Sequence, residues 1–459
     1  MHDATRRRTG KVAARTGMAR RQFLKTAAAA GAGLVILPSG VVSGADSPNN
    51  KLNIAMVGAG GRAGAHFGTA KNENIAALCD VDEKHLGQAA KNFPKAKTYA
   101  DWRKCVDQKD LDAVICCTTD HTHAFVSSWA LNRDLHVYCE KPMGITVNEV
   151  RLLREKYVAK KDKLATQQGT QRHQYPNFNR VRELIRDGAI GELKAAWAWG
   201  NRQLPRDGYL PGEGIPPKTL NYDLWLGPAP YHPYNPGYFA RDRGNCLSWN
   251  MFWDFGRGQV GDMGAHTMDL VWNAIDADPP TTAEASGEKV HPEVVPVRMT
   301  STWDIPKNDW RPGIKVTWSM GGDMPKSPMG FIDLNKIGHG AMYKGDKGFV
   351  LADFKKRALI PYGKSADLGY WTKRPDDELI PDLGHFQQDW INACKDRSRQ
   401  TACDFKYSGD MMEMMLLGLV AFRVGKKLEY DGKAGKITNV PEANKFLTKE
   451  YRNDWVLDG

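Results

Sequence analysis

The stretch Leu52–His66, which reads Leu-Asn-Ile-Ala-Met-Val-Gly-Ala-Gly-Gly-Arg-Ala-Gly-Ala-His, constrains the fold more than any other part of the chain. A short apolar run, Ile54 to Val57, breaks into glycines, and alanines then reopen a helix-compatible stretch. Strand, glycine turn and helix in that order open a dinucleotide-binding βαβ unit. Gly58 permits the tight turn and Gly60 lets the backbone approach a pyrophosphate. Ala63 takes the third position, where a small residue lets helix and strand pack closely. Gly61 and Arg62 complete the turn, and Arg62 adds a cation that suits phosphate. Backbone N–H groups and the positive helix end then hold the phosphate charge. Glycine turns also join strands to helices with no ligand bound, so the rest of the chain must decide.

The second strand supports a nucleotide. It runs from Ile75 to Cys79 and ends in Asp80-Val81-Asp82, and Asp80 stands 22 residues after Gly58. At that spacing an acidic side chain accepts hydrogen bonds from the adenosine ribose and repels a 2′-phosphate, which favours NAD over NADP. The bland alternative is a helix N-cap, a job Asp82 can do alone. Helical pattern runs from Glu83 to Phe93 and again from Trp102 to Val106. Ala113 to Cys117 is a continuous apolar strand ending in Thr118-Thr119-Asp120-His121-Thr122-His123. His136 to Cys139 is the next strand and ends in Glu140-Lys141-Pro142; a helix over about Val147 to Lys160 and a strand over Leu164 to Gln168 come after it. Strand and helix alternate over 52–168, which predicts a doubly wound parallel sheet. Each polar motif named so far sits at the carboxyl end of a strand, where such sheets bind ligands.

Composition matters chiefly at the N-terminus. The 459-residue chain carries a formal charge of +11, which at first suggests nucleic acid or a membrane surface. Eight of its Lys and Arg, with one acidic residue, lie in residues 1–45, and the rest has 56 basic against 52 acidic side chains, a net of +4. No basic block survives beyond that point, which argues against nucleic acid. Arg20-Arg21-Gln22-Phe23-Leu24-Lys25 resembles a twin-arginine export signal, followed by a weakly apolar stretch to Leu37 and a small-residue site at Ser43-Gly44-Ala45. Residues 1–45 are therefore predicted to be a signal peptide, with Met18 an alternative start, and the protein to be periplasmic or otherwise extracytoplasmic. The apolar run is too short to span a bilayer, so no membrane anchor is expected. Of eight cysteines, Cys79, Cys116, Cys117 and Cys139 end apolar runs and read as buried strand residues; no Cys-x-x-Cys pair exists, and no metal site is expected.

Beyond Gln171 the pattern changes. Helices are predicted at Phe178–Asp187, Asp262–Ala274, His385–Lys395 and Asp410–Val424. Strands are predicted at Lys194–Trp199, Ala283–Ser286, Arg298–Asp304, Ile314–Met320, Ala341–Lys344 and Phe349–Asp353. The division reads as a Rossmann domain at 51–170, an α+β substrate and oligomerisation domain with a mostly antiparallel open sheet at 171–440, and a tail at 441–459. Residues 200–260 are rich in Pro, Gly and aromatics, which either stack sugar rings or pack a core; Trp253, eight residues before Gly261, is the best sugar-stacking candidate.

These motifs together resemble the family of glucose–fructose oxidoreductase, inositol dehydrogenase and MocA. The resemblance spans 52 to about 440 and rests on the Gly58–Ala63 turn, Asp80, Thr118 to His123, Glu140-Lys141-Pro142 and Gly261-Asp262-Met263-Gly264-Ala265-His266. Thr119 stands where members commonly have proline, which predicts a slightly looser turn. The resemblance implies a homo-oligomer built through the second sheet, and a cis Lys141–Pro142 bond. It places Lys141 between nicotinamide and substrate, with a lowered pKa beside the charged ring. Asp262 and His266, four residues apart, share one helix face; the resemblance makes His266 the general base on a substrate hydroxyl and Asp262 a substrate ligand. Asp269 either orients His266 or serves packing. Glu140, Thr118, His121 and His123 are expected near the cofactor, with His123 at the following helix cap, and Arg172 and His173 in the substrate cleft. The activity implied is hydride transfer between tightly held NAD and a sugar, glycoside or cyclitol hydroxyl. A glycosidase working by transient C3 oxidation is the first alternative, and a non-catalytic sugar-binding protein the second.

Overall fold

The apolar runs of residues 53–168 pair into one parallel sheet in the computed structural model, which describes residues 51–459 apart from 203–204, 241–247, 331, 364–373 and 453–454. The export segment and Cys246 therefore lie outside the described residues. The six strands are β1 (Asn53–Val57), β2 (Asn74–Cys79), β3 (Lys97–Tyr99), β4 (Ala113–Cys116), β5 (His136–Cys139) and β6 (Thr166–Gln168), in the order β3-β2-β1-β4-β5-β6. That order reverses between β1 and β4, and the crevice at such a reversal is where these sheets bind ligands. Register levels the strand ends across it. Val57 is paired with both Cys79 and Cys116, and Cys116 with Cys139. Gly58, Thr118 and Glu140 therefore leave the sheet side by side.

The second sheet has nine strands: β7 (Leu193–Gly200), β8 (Thr282–Gly287), β9 (Met299–Ile305), β10 (Ile314–Met320), β11 (His339–Gly345), β12 (Gly348–Ala352), β13 (Arg357–Pro361), β14 (Leu428–Asp431) and β15 (Lys436–Ile437). Their order is β13-β12-β11-β7-β10-β9-β8-β14-β15, antiparallel except where β10 runs parallel to β7. Strand β9 alternates buried and half-buried residues along its length, the pattern of a sheet covered by helices on one face. Helices Ala265–Ile275 and Phe405–Val424 supply that cover, and Gly418 permits the second to approach Trp303, which a Cβ would meet at 2.6 Å. The Phe405–Val424 helix is apolar almost all round because it also packs against the Rossmann helix Val147–Lys160. It starts five residues before the sequence suggests, because the Asp404 carboxylate accepts from the N–H groups of Lys406 and Tyr407.

Packing does not follow the linear division. Helix Phe386–Lys395 buries Phe386 and Trp390 against Tyr138 and the β1 side of the first domain. The tail also returns there: Trp455 packs on Trp102 and Phe125, and Trp129 donates to the Val456 carbonyl. The aromatic-rich stretch forms a small core of its own, with Tyr222, Trp225, Tyr238, Trp249, Phe252 and Phe255 buried together. All seven described cysteines are free thiols. No described helix is long and apolar enough to cross a membrane.

Candidate active site

The glycine turn adopts the conformations its sequence demands. Gly58 is left-handed, with φ of 85°, and a Cβ there would lie 2.6 Å from the Cys117 carbonyl oxygen. Gly60 donates its N–H to Asp80 Oδ2 at 2.9 Å, and Asp80 Oδ1 accepts from Asp82 N–H at 2.9 Å. Asp82 caps the next helix by accepting from Lys84 N–H. Asp80 is thus held at the glycine turn while Asp82 does the capping. Gly61 also has positive φ, Ala63 is buried, and Gly61–Ala63 form a tight turn leading into helix Gly64–Ala70. The left-handed Gly58 lets the turn close against the end of β4, and the Asp80 carboxylate at its rim matches a ribose, so the residues fit a dinucleotide.

Glu140 comes directly after β5 and is buried beneath that turn. It accepts from Arg62 Nε at 2.7 Å and from His66 Nε2 at 2.8 Å. Burial alone would raise its carboxyl, but the His66 hydrogen bond and the Arg62 charge hold it well below the usual range. Arg62 and Glu140 therefore form one element that braces the phosphate turn against the end of β5. Lys141 points elsewhere. Its ammonium pairs with Asp262, not with Glu140. The Lys141–Pro142 peptide is cis. His123 bridges the carbonyls of Pro142 (Nδ1, 2.7 Å) and Thr118 (Nε2, 3.1 Å), and so ties the Lys141 turn to the end of β4. His123 lies within helix Asp120–Asn132, whose N-cap is Thr119, so it does not occupy the cap itself. Thr119 has φ of −79°, close to the angle a proline imposes, and its carbonyl accepts from Thr122. The turn is no looser for lacking proline.

Asp262 comes from the second domain. Val260–Gly264 form a π-helical turn that runs directly into helix Ala265–Ile275, where the sequence predicts α-helix throughout. Single π-turns inside α-helices recur at functional sites. Gly261 explains the close meeting of the domains, since a Cβ there would come within 3.0 Å of the Pro142 ring. Asp262 also accepts from Arg202 at 3.2 Å. Burial would raise the Asp262 carboxyl, but the Lys141 charge holds it well below its usual value. Burial pulls Lys141 down, yet Asp262 and Asp120 overcome it and leave the ammonium raised. Two carboxylates flanking the amine thus favour its charged form, and the lowering expected beside a nicotinium ring would have to work against them. His266 is buried with Nδ1 unpartnered among the described residues, and burial, then the Lys141 charge, push its pKa down to about 3. The imidazole is therefore held in its neutral form.

Around this centre lies a cleft of about 390 Å³ lined by Gly61, Arg62, Thr118, Asp120, His123, Glu140, Lys141, Arg202, Trp249, Asn250 and Asp262, among others. His266 stands one turn beyond Asp262, outside that lining. Four further residues expected at a ligand lie elsewhere. His121 packs on Trp225 and Phe255 and bonds the Trp225 carbonyl at 3.1 Å, because it sits on the buried face of its helix. Trp253 donates to the His291 carbonyl and has the guanidinium groups of Arg257 and Arg423 over its ring; Trp249 is the tryptophan in the cleft. His173 is held by both carboxylate oxygens of Asp269, each at 3.0 Å, and Tyr407 donates to the same carboxylate at 2.7 Å. Asp269 therefore orients His173 and not His266. The Cys403 thiol completes a group of three possible ligand atoms within 4.8 Å. Arg172 lies over the Phe354 ring at 4.5 Å, within electrostatic reach of His266.

Sequence reasoning missed Asp120, Arg202, Trp249 and Asn250. Asp120 carried a signal, being the first helical residue after β4 at the switch point. The other three come from the long connection after β7, which has no periodicity to read.

Two family descriptions match this chain: the NAD-binding Rossmann fold of the oxidoreductase family over residues 52–168, and that family's C-terminal α/β domain over 194–457. Among curated relatives, the myo-inositol 2-dehydrogenase of Thermotoga maritima is 27% identical over 150 residues, 31% of this chain and 42% of that protein. Levoglucosan dehydrogenase of Pseudarthrobacter phenanthrenivorans is 27% identical over 117 residues, 25% of this chain and 29% of that one. The chain thus spans less than half the length of these relatives. The WlbA dehydrogenase of Bordetella pertussis, solved with NADH and UDP-GlcNAcA, shares the fold at a TM-score of 0.57 with 13% identity, covering 83% of this chain and 99% of that one. A matched NAD-binding domain, a matched partner domain and the crevice built between them place the chain in the Gfo/Idh/MocA oxidoreductase family.

Proposed function

We propose that the protein is an NAD-dependent oxidoreductase acting on a hydroxyl of a sugar, glycoside or cyclitol. One observation carries this reading: Lys141, from the cofactor domain, meets Asp262 of the second domain, with neutral His266 one turn on. NAD, when bound, supplies the acceptor for hydride leaving the substrate carbon. Lys141 and Asp262 hold the substrate hydroxyl between an ammonium and a carboxylate. His266 takes the hydroxyl proton, so that the carbon ends as a carbonyl. The inositol and levoglucosan dehydrogenases among its relatives support a polyol or sugar substrate. NAD-loaded protein should reduce its cofactor when offered the right sugar, monitored in the nicotinamide absorbance band. A protein that binds no NAD ends the proposal.

A redox-assisted glycosidase is the second reading, favoured by Asp120. That buried carboxyl lines the cleft, and burial pushes its pKa up to about 7, the range of a general acid for a leaving group. Release of an aryl aglycone with no net NADH selects this reading over simple oxidation. The twin-arginine stretch supports export, which keeps NAD resident and recycled in place. A reporter fused to residues 1–50 tests this by its cell fraction, with Arg20→Lys/Arg21→Lys as control. Homo-oligomerisation through the second sheet is tested by light scattering of the purified protein.

A further inference from the structure

Asp269 stands three residues after His266 on helix Ala265–Ile275 and is fully buried. His173 reaches it from the turn after β6, and Cys403 from the residue before Asp404, the cap of helix Phe405–Val424. The Cys403 carbonyl accepts from Gln168 N–H at 2.8 Å, which holds this segment against the end of β6. The three donor atoms lie within 4.8 Å of one another, the one such group of His, Cys, Asp or Glu side chains among the described residues. It shares no residue with the lining of the crevice. The three lie on separate elements, so no short spacing motif announces them.

Hydrogen bonding explains the group only in part. His173 Nδ1 is 3.0 Å from each Asp269 oxygen. One N–H can point well at only one of them, because hydrogen bonds favour near-linear geometry. Tyr407 donates to Oδ1, which leaves Oδ2 for another partner. Thr170, whose carbonyl accepts from His173 N–H, is fully buried, and its hydroxyl has no hydrogen-bond partner. Burial, then the Asp269 charge, raise the Cys403 thiol well above its ordinary value, so on its own it keeps its proton. A divalent cation inverts that logic and favours the thiolate. One thiolate and one carboxylate neutralise such an ion, so the site carries no net charge into a buried place. Thiolate, imidazole and carboxylate are zinc ligands, whereas magnesium and calcium take oxygen throughout. Zinc bonds of about 2.0–2.3 Å set tetrahedral ligands roughly 3.3–3.6 Å apart, so the group needs to close by only about an ångström. His173 keeps a tenth of its side chain exposed, which gives an ion a way in.

We propose that His173 Nδ1, one Asp269 oxygen and the Cys403 sulfur bind a zinc ion, with water beside the Thr170 hydroxyl in the fourth position. On binding, the Cys403 S–H proton leaves to solvent, and His173 carries its proton on Nε2. Tyr407 stays bonded to the ligating carboxylate as its outer partner. The ion joins the turn after β6, the helix that carries His266 and the start of helix Phe405–Val424, so its role is structural. The inference is independent of the oxidoreductase reading, and its test needs neither NAD nor substrate.

Full-length protein without a polyhistidine tag is dialysed in metal-free buffer, titrated with zinc, and measured by elemental analysis and zinc X-ray absorption. About one zinc per chain is expected, with one sulfur neighbour at about 2.3 Å and nitrogen or oxygen neighbours at about 2.0 Å. Cys403→Ser should remove the sulfur neighbour and weaken binding by about tenfold or more. His173→Gln should weaken it comparably but keep the sulfur, and Cys394→Ala, at a buried thiol outside the group, should change neither. If a ligand variant fails to fold, the wild-type spectrum decides alone. A protein that takes up no zinc overturns the inference. So does zinc with only nitrogen and oxygen neighbours, or a sulfur neighbour that survives Cys403→Ser.

Discussion

The two halves of the crevice handle charge in opposite ways. At the glycine turn the acidic groups are answered within the protein: Asp80 by the N–H groups of Gly60 and Asp82, Glu140 by Arg62 and His66. Where the two domains meet, Lys141 and Arg202 share a single carboxylate, Asp262. A closed network keeps its shape with or without a ligand. An open one changes its electrostatics when a ligand arrives, which is what a site needs to bind a transition state better than its resting surroundings. Substitutions in the closed half should therefore register as stability or cofactor affinity, and those in the open half as rate.

Lys141→Met is expected to break this division most severely if it is wrong. Losing a group that holds the reacting hydroxyl costs roughly 10²–10⁴ in turnover. NAD affinity should stay within about threefold, since the amine bonds Asp262 and nothing in the glycine turn. Rate and cofactor fluorescence titration measure the two. Equal losses in both would make Lys141 part of the cofactor cradle.

Glu140→Gln tests the closed half. It strips Arg62 and buried His66 of their shared anion; because Arg62 is two-fifths exposed, the loss should fall below the roughly 3–5 kcal/mol of a fully buried pair. The sign of its pH dependence is fixed. The folded carboxyl lies below its unfolded value near 4.3, so its contribution is complete above that pH and fades as acid protonates the folded carboxyl. Unfolding midpoints of the two proteins should differ most at neutral pH and begin to draw together only as pH falls below about 4. A constant gap would mean the glutamate acts by shape alone.

The same contrast explains what the sequence made legible. The closed half is local: Gly58, Gly60, Asp80 and Glu140 sit at fixed offsets from strand ends, and register brings those ends together. The open half is assembled from the end of β5, the connection after β7 and a π-turn, far apart in sequence and with no periodicity joining them. Lys141, Asp262 and His266 were readable there only through the family resemblance. His121 and Trp253 misled for one reason: a polar or aromatic residue beside a motif looks functional until its buried face is known. The export signal lies outside the described residues.

Asp120 stands on the boundary between the halves, and its effect is moderate. Burial raises its carboxyl to about 7, against an unfolded value near 3.9. A raised carboxyl binds its proton more tightly in the folded state, so stability falls as pH rises from about 4 to 7. Asp120→Asn should flatten that decline in a series of thermal melts. It should also remove an inflection near pH 7 in kcat/KM, because ionised Asp120 is a counter-charge to Lys141. An inflection that persists in the variant assigns it to another group.

The smallest expected effect lies at the ribose end. His85 Nδ1 stands 3.9 Å from Asp80 Oδ1, and a Cβ on Gly60 would come within 2.7 Å of its ring. Interaction with the Asp80 carboxylate raises the His85 pKa, so acid places a cation beside the residue that repels a 2′-phosphate. The imidazole is nearly half exposed, and solvent screens it. The ratio of NADP to NAD dissociation constants should therefore narrow by only a few-fold, at most about tenfold, between pH 8 and pH 6. His85→Gln should hold the ratio constant over that range, whereas Asp80→Asn should lower it at every pH while the histidine slope shrinks. If His85→Gln leaves the slope intact, even this end of the closed half carries a titrating group not yet identified, and the division between fixed and responsive charge must be drawn elsewhere.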